Sequence, residues 1–181
     1  MAAKHGWAAA GVGLSLCVTG PAAASDHSWH TVADVGVAGL VVTAFGASTL
    51  EKDWQGDKEL ALSLGATAAE AYALKHVFPE QRPNGRDNRS FPSGHTSIAF
   101  AAAGYLEDRY GWQAGLPAAA VATLVGVARV RSHDHHWYDA VAGAALGGAT
   151  ALIITKPIGP NVQITPWSDG HGGGLSLAAR F

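Results

Sequence analysis

Five apolar segments rich in Ala, Leu and Val, parted by short polar turns, constrain this chain more than any other feature of it. They fall near residues 32–50, 59–75, 96–107, 113–131 and 138–155. Their length and composition specify helices rather than strands. The expected fold is therefore all-α, a bundle of about five core helices in which consecutive members run antiparallel. Charged residues make up 14% of the chain against 48% hydrophobic, well below the usual quarter or so of charged positions. Much of the surface must face something other than water, which points to a membrane. A bilayer crossing takes roughly 20 apolar residues. The first, fourth and fifth segments come near that length, whereas the second carries Glu70 and the third is short. In the fifth, Gly143 with Gly147 and Ala140 with Ala144 are small residues at helical spacing that let helices approach closely. Pro117 stands near the start of the fourth, where a first turn tolerates it.

The two ends read differently. Lys4 and His5 precede an apolar run from Trp7 to Thr19, followed by Pro21 and Ala22-Ala23-Ala24. That is the pattern of an export signal cleaved after Ala24. Residues 1–24 are thus expected to be a signal peptide, 25–156 the helical domain and 157–181 a tail. Within the tail, Val162–Thr165 and Leu175–Ala178 alternate on either side of a Gly-rich stretch, the signature of a short hairpin. The sole cysteine, Cys17, lies in the signal, so no disulfide or thiol chemistry is expected of the remainder. Lys plus Arg number 12 against 14 Asp plus Glu, a net charge of -2 that offers no basic field to nucleic acid. No protein partner is evident.

Antiparallel succession places every second junction at the same end of the bundle. Lys75 closes the second segment, Arg82 follows in the next loop, and FPSGH opens the third with Ser93, Gly94 and His95. Arg129 closes the fourth, and RSHDHHWYD leads into the fifth with His135 and Asp139. Three cations, two histidines and a helix start thereby converge, a set suited to a tetrahedral oxyanion such as phosphate. Arginine forks match its oxygens, lysine adds a mobile charge, and first-turn amides lack internal acceptors. Proline at a first helical position would leave the Ser93, Gly94 and His95 amides free. His135 and Asp139, four apart, are expected on one helix face, with the carboxylate fixing the imidazole tautomer and the other nitrogen free as a nucleophile. Neighbours in the run Ser132–His136 are too tightly spaced to point inward together, so no metal is assigned. His133 and His136 are read as bystanders, and His5, His27, His30, His76 and His171 receive no role.

Three motifs complete the reading. KHVFPEQRP runs from Lys75 to Pro83, FPSGH from Phe91 to His95, and ARVRSHDHHWYD from Ala128 to Asp139. In order and spacing they resemble the K-x6-RP, PSGH and SR-x5-H-x3-D signature of the type 2 phosphatidic acid phosphatase superfamily. One departure is Ala128, where the signature carries serine. The resemblance implies that His135 attacks phosphorus to form a phosphohistidine, steadied by Asp139. It implies that His95 protonates the leaving oxygen and then activates water, while Lys75, Arg82, Ser93, Gly94 and Arg129 hold the phosphoryl oxygens, with no metal or other cofactor.

That superfamily includes membrane lipid phosphatases, soluble periplasmic acid phosphatases and vanadium haloperoxidases. The apolar segments and HHWYD favour the first, acting on a phosphorylated lipid such as undecaprenyl diphosphate, phosphatidylglycerol phosphate or lipid A. Helix parity after a cleaved signal would place the catalytic end on the periplasmic side of a bacterial inner membrane. A soluble periplasmic enzyme, a haloperoxidase and a nonenzymatic module that captures a phosphate headgroup are the alternatives.

Overall fold

Caps and turn residues decide where the helices begin and end. The computed structural model describes residues 25–157, 162–168 and 173–179, so the expected signal peptide lies outside the described residues. Helix α1 (Asp26–Leu50) starts ahead of the expected position 32 because the Ser25 hydroxyl caps it, accepting from the Ser28 amide at 3.4 Å. Helix α2 (Trp54–Val77) is capped by Asp53, which accepts from the Gly56 amide at 2.9 Å. Helix α3 (Gly94–Tyr110) outruns its expected end at 107 and stops at Gly111, whose φ of +89° suits only a residue without Cβ. Helices α4 (Trp112–Arg131) and α5 (Trp137–Ile154) follow. Strands β1 (Val162–Ser168) and β2 (Gly173–Ala179) pair antiparallel, with Val162 opposite Ala179.

The α3 helix touches all four other helices. It can do so because its buried face is almost all alanine: Ala99, Ala101, Ala102 and Ala103 are buried, with Tyr105 and Leu106 filling the lower end. Leu40 and Ala44 of α1, Leu60 of α2, and Ala118, Ala122 and Val125 of α4 complete this core. The tightest approach is between α3 and α5. A Cβ built on Gly147 would lie 1.9 Å from the Ser97 carbonyl oxygen, and one on Gly143 2.6 Å from that of Ser93. The packing role expected of this glycine pair is what the structure shows, and it seats the start of α5 against the start of α3.

The end of the bundle away from the histidines is fastened by a buried ion cluster. The Arg109 guanidinium, on α3, donates to both Asp53 oxygens (2.7 and 2.6 Å) and to Glu59 Oε2 at 3.2 Å. It also donates to the Lys156 carbonyl at 2.5 Å, so one side chain ties α2, α3 and the end of α5 together.

Helices α1, α4 and α5 are each long and apolar enough to cross a membrane. Their outer faces carry exposed Val35, Val42, Leu116, Leu124, Val127, Val141, Leu152 and Ile153, which face away from the other described residues. Outward apolar side chains of this size on three helices suit a lipid surrounding better than water.

Candidate active site

The site is assembled where the α2–α3 loop, the start of α3 and the α4–α5 loop meet. The α2–α3 loop turns at Gly85 (φ +70°), with the Gly85 amide donating to the Arg82 carbonyl at 2.9 Å. This turn presents Arg82. Its Nε donates to Asp87 Oδ1 at 2.8 Å, and its NH1 donates to the Asp134 carbonyl at 3.0 Å and lies 3.2 Å from His135 Nε2. The Arg82 bond also holds the Asp87 carboxyl below its usual range.

A guanidinium can only donate, so the Arg82 contact makes His135 Nε2 the acceptor and puts the proton of a neutral imidazole on Nδ1. Nδ1 faces Asp139 Oδ2 at 3.6 Å. His135 and Asp139 are both buried. Burial, then the charges of Arg82, Lys75 and Arg129, push the His135 imidazole down to about 3, with Asp139 opposing them. The ring is therefore neutral across the physiological range, with its Nε2 lone pair on the cationic side.

The expected helical pairing of His135 with Asp139 is corrected in one respect. His135 precedes the helix: α5 starts at Trp137, with His136 as its N-cap. Asp139 closes a capping box, accepting from the His136 amide at 2.8 Å, and its Oδ2 also accepts from Ser90 Oγ at 2.5 Å. His136 is not a bystander. Its Nδ1 is 3.3 Å from Asp139 Oδ2, and its ring stacks on Tyr138 with centroids 4.9 Å apart. Glu80, His136 and Asp139 bring ligand-type atoms within 4.8 Å of one another. Tyr138 bonds that Glu80 carboxylate, and Ser90 and the His136 amide already engage Asp139.

The PSGH stretch also differs from expectation. Pro92 lies ahead of the cap rather than in the first turn, and Ser93 is the N-cap. The Ser93 amide is not free, since it donates to the Asp139 carbonyl at 3.0 Å. The Ser93 hydroxyl accepts from Thr96 Oγ1 at 2.9 Å. Gly94 and His95, the first two residues of α3, keep first-turn amides without intrahelical acceptors. Lys75 points at this segment, donating to the carbonyls of Arg89 (2.9 Å), Ser90 (3.3 Å) and Pro92 (2.5 Å). Its ammonium therefore anchors the approach to α3 as well as contributing charge at His135.

A family model described as the PAP2 superfamily matches residues 58–162, more than half of the chain. The chain belongs to the PAP2 superfamily. Among its PAP2 relatives is the lipid A 4'-phosphatase of Helicobacter pylori, 32% identical over 120 residues, which make up 60% of this chain and 61% of that protein. Another is the lipid A 1-phosphatase of Porphyromonas gingivalis, 31% identical over 148 residues, or 74% of this chain and 33% of that protein. The chain thus spans less than two thirds of the length of these curated relatives. Two solved structures share the PAP2 fold. Aquifex aeolicus LpxE aligns with a TM-score of 0.59 at 24% identity, over 71% of this chain and 83% of that one. A transmembrane PAP2 type phosphatidylglycerolphosphate phosphatase from Bacillus subtilis aligns with a TM-score of 0.58 at 22% identity, over 71% and 74%.

Several residues of this PAP2 site carry no mark in the signature. His95 Nε2 lies 2.9 Å from Asp34 Oδ1 on α1. Burial and the nearby Arg129 lower the His95 pKa, while Asp34 and Asp134 act to raise it. His30, given no role from the sequence, places Nδ1 2.9 Å from Asp134 Oδ2. His30 and Asp34 stand four apart at the polar start of α1, a spacing that puts both on one helix face and was the available signal. Ser90 and Asp134 carried no comparable signal, because each acts through a loop whose path sequence spacing does not give. Ala128 is fully buried in the core rather than at the site.

Proposed function

We propose that the chain is a phosphatase for phosphate monoesters or diphosphates of membrane lipids, working through a phosphohistidine on His135. The contact between Arg82 NH1 and His135 Nε2 carries this reading, because it marks the nucleophilic lone pair and sets a phosphate-seeking fork beside it. In the first step Nε2 attacks phosphorus, the P–O bond to the lipid breaks, and His95 passes its proton to the departing oxygen. The imidazolium that forms keeps its Nδ1 proton facing Asp139. In the second step His95 takes a proton from water, the hydroxide attacks phosphorus, the P–N bond breaks and phosphate leaves. Arg82, Arg129, Lys75 and the Gly94 amide stabilise the charge that builds on the phosphoryl oxygens, which needs positioning and electrostatics rather than further covalent chemistry.

The outward apolar faces of α1, α4 and α5 support a membrane-embedded enzyme that meets its substrate at the lipid surface. The relatives named as lipid A phosphatases make lipid A the first substrate to try. We place the catalytic end on the periplasmic side, the orientation that follows from an exported N-terminus. Purified protein in detergent should release phosphate from lipid A, phosphatidylglycerol phosphate or undecaprenyl diphosphate in the presence of EDTA. His135→Ala should abolish that release. Full turnover by the His135→Ala protein, or no release from any lipid in the panel, defeats the reading.

A further inference from the structure

We propose that Asp134 is a positioning residue that sets the direction of the Arg129 guanidinium. Asp134 is fully buried, yet its carboxylate gathers five polar neighbours from four parts of the chain. Oδ1 accepts from Asn84 Nδ2 at 2.9 Å and Arg86 NH2 at 3.2 Å. Oδ2 lies 2.8 Å from Arg129 NH2, 2.9 Å from His30 Nδ1 and 3.1 Å from Ser132 Oγ. Both oxygens of the carboxylate are engaged, and the charge is shared with two arginines rather than with solvent. A buried carboxylate so placed is stable only while its cations stay, and it restrains them in return.

Ser132 Oγ, 3.1 Å from Asp134 Oδ2, also donates to the Arg129 carbonyl at 3.2 Å, so the same carboxylate is tied to the Arg129 backbone as well as to its side chain. The Asp134 carbonyl also accepts from Arg82, so one residue fixes both forks: Arg82 through its backbone and Arg129 through its side chain. The inference rests on the reading of Arg129 as a phosphoryl ligand.

Asp134→Asn keeps the shape but removes the counter-charge and turns an amide toward guanidinium groups that can only donate. It should lower kcat/KM for a lipid phosphate roughly 10- to 100-fold and weaken inhibition by vanadate, a phosphoryl mimic, by a similar factor. Ser132→Ala, a milder cut at the same oxygen, should move both constants the same way by about threefold. In an Arg129→Lys background, which lacks the fork, Asp134→Asn should cost less than about threefold. Thermal unfolding in detergent checks that each variant folds; if Asp134→Asn does not, the Ser132→Ala constants decide the matter. Unchanged vanadate inhibition in Asp134→Asn and Ser132→Ala overturns the proposal, as does an Asp134→Asn loss that is the same in the Arg129→Lys background as in the parent. Wild-type activity in Arg129→Lys and Arg129→Ala would instead remove the phosphate-site reading beneath it.

Discussion

His135 Nδ1 and Asp139 Oδ2 stand 3.6 Å apart, just beyond hydrogen-bonding distance, in a setting where both side chains are buried. Among the described residues, His135 Nδ1 and Asp139 Oδ1 find no hydrogen-bond partner, while Ser90 and the His136 amide take Asp139 Oδ2. An imidazolium formed during phosphoryl transfer would draw the carboxylate in, because the charge-assisted bond is worth more in a buried site than in water.

Asp139→Asn tests that relationship. The amide preserves the α5 cap but presents a neutral group to the imidazolium. We expect kcat to fall on the order of 10³-fold with little change in the unfolding temperature, by analogy with carboxylates that orient catalytic imidazoles. Steady-state kinetics alongside thermal unfolding in detergent measures both, and a kcat within about twofold of the parent contradicts the assignment.

In the proposed mechanism the two histidines act in opposite protonation states, and this fixes the sign of a pH experiment. There His135 would attack as the neutral ring, and its pKa of about 3 means that it should contribute no acid limb to kcat/KM in the physiological range. His95 must carry a proton, so kcat/KM should decline as pH rises through its pKa. Asp34 raises that pKa against burial and Arg129. In Asp34→Asn the basic limb should therefore move to lower pH. A limb that stays in place or moves upward shows that His95 is not the acid or that Asp34 does not act on it.

Gly147→Ala probes the packing that brings the two halves of the site together. The added Cβ would meet the Ser97 carbonyl oxygen at 1.9 Å, a backbone atom with no flexible end to move aside. Overpacking of this kind costs about 1–3 kcal/mol, more than the ~1 kcal/mol that alanine gains over glycine in a helix. The variant should unfold at lower temperature and lose activity, because α5 carries Asp139 and α3 carries His95. Gly148→Ala, where the space is open, is the control expected to unfold at or above the parent temperature.

Arg109→Met separates stability from chemistry. Removing the guanidinium strands Asp53 and the buried Glu59, and breaking a buried pair from one side costs about 3–5 kcal/mol. The expected result is a large drop in unfolding temperature with vanadate inhibition unchanged at temperatures where the protein stays folded. A loss of vanadate inhibition there would mean that the cluster communicates with the site.

The amino-acid sequence was enough to give the number of core helices, their antiparallel order and the end of the bundle at which Lys75, Arg82, His95, Arg129 and His135 gather. Those follow from segment length, apolar composition and parity, which are properties of the chain read locally. It also determined the family, because three motifs at set spacings constrain loops as well as helices. The folded arrangement was needed to show that His135 stands in the loop before α5, that Ser93 rather than Pro92 is the cap of α3, and that His136 shares Asp139. It alone brought α1 to the site through His30 and Asp34, and set Asp134 against Arg129. These are contacts between residues tens of positions apart, or turns whose dihedral angles differ without any change in spacing. A one-dimensional pattern records which face a helical residue takes, but not which partner a loop side chain finds across the bundle.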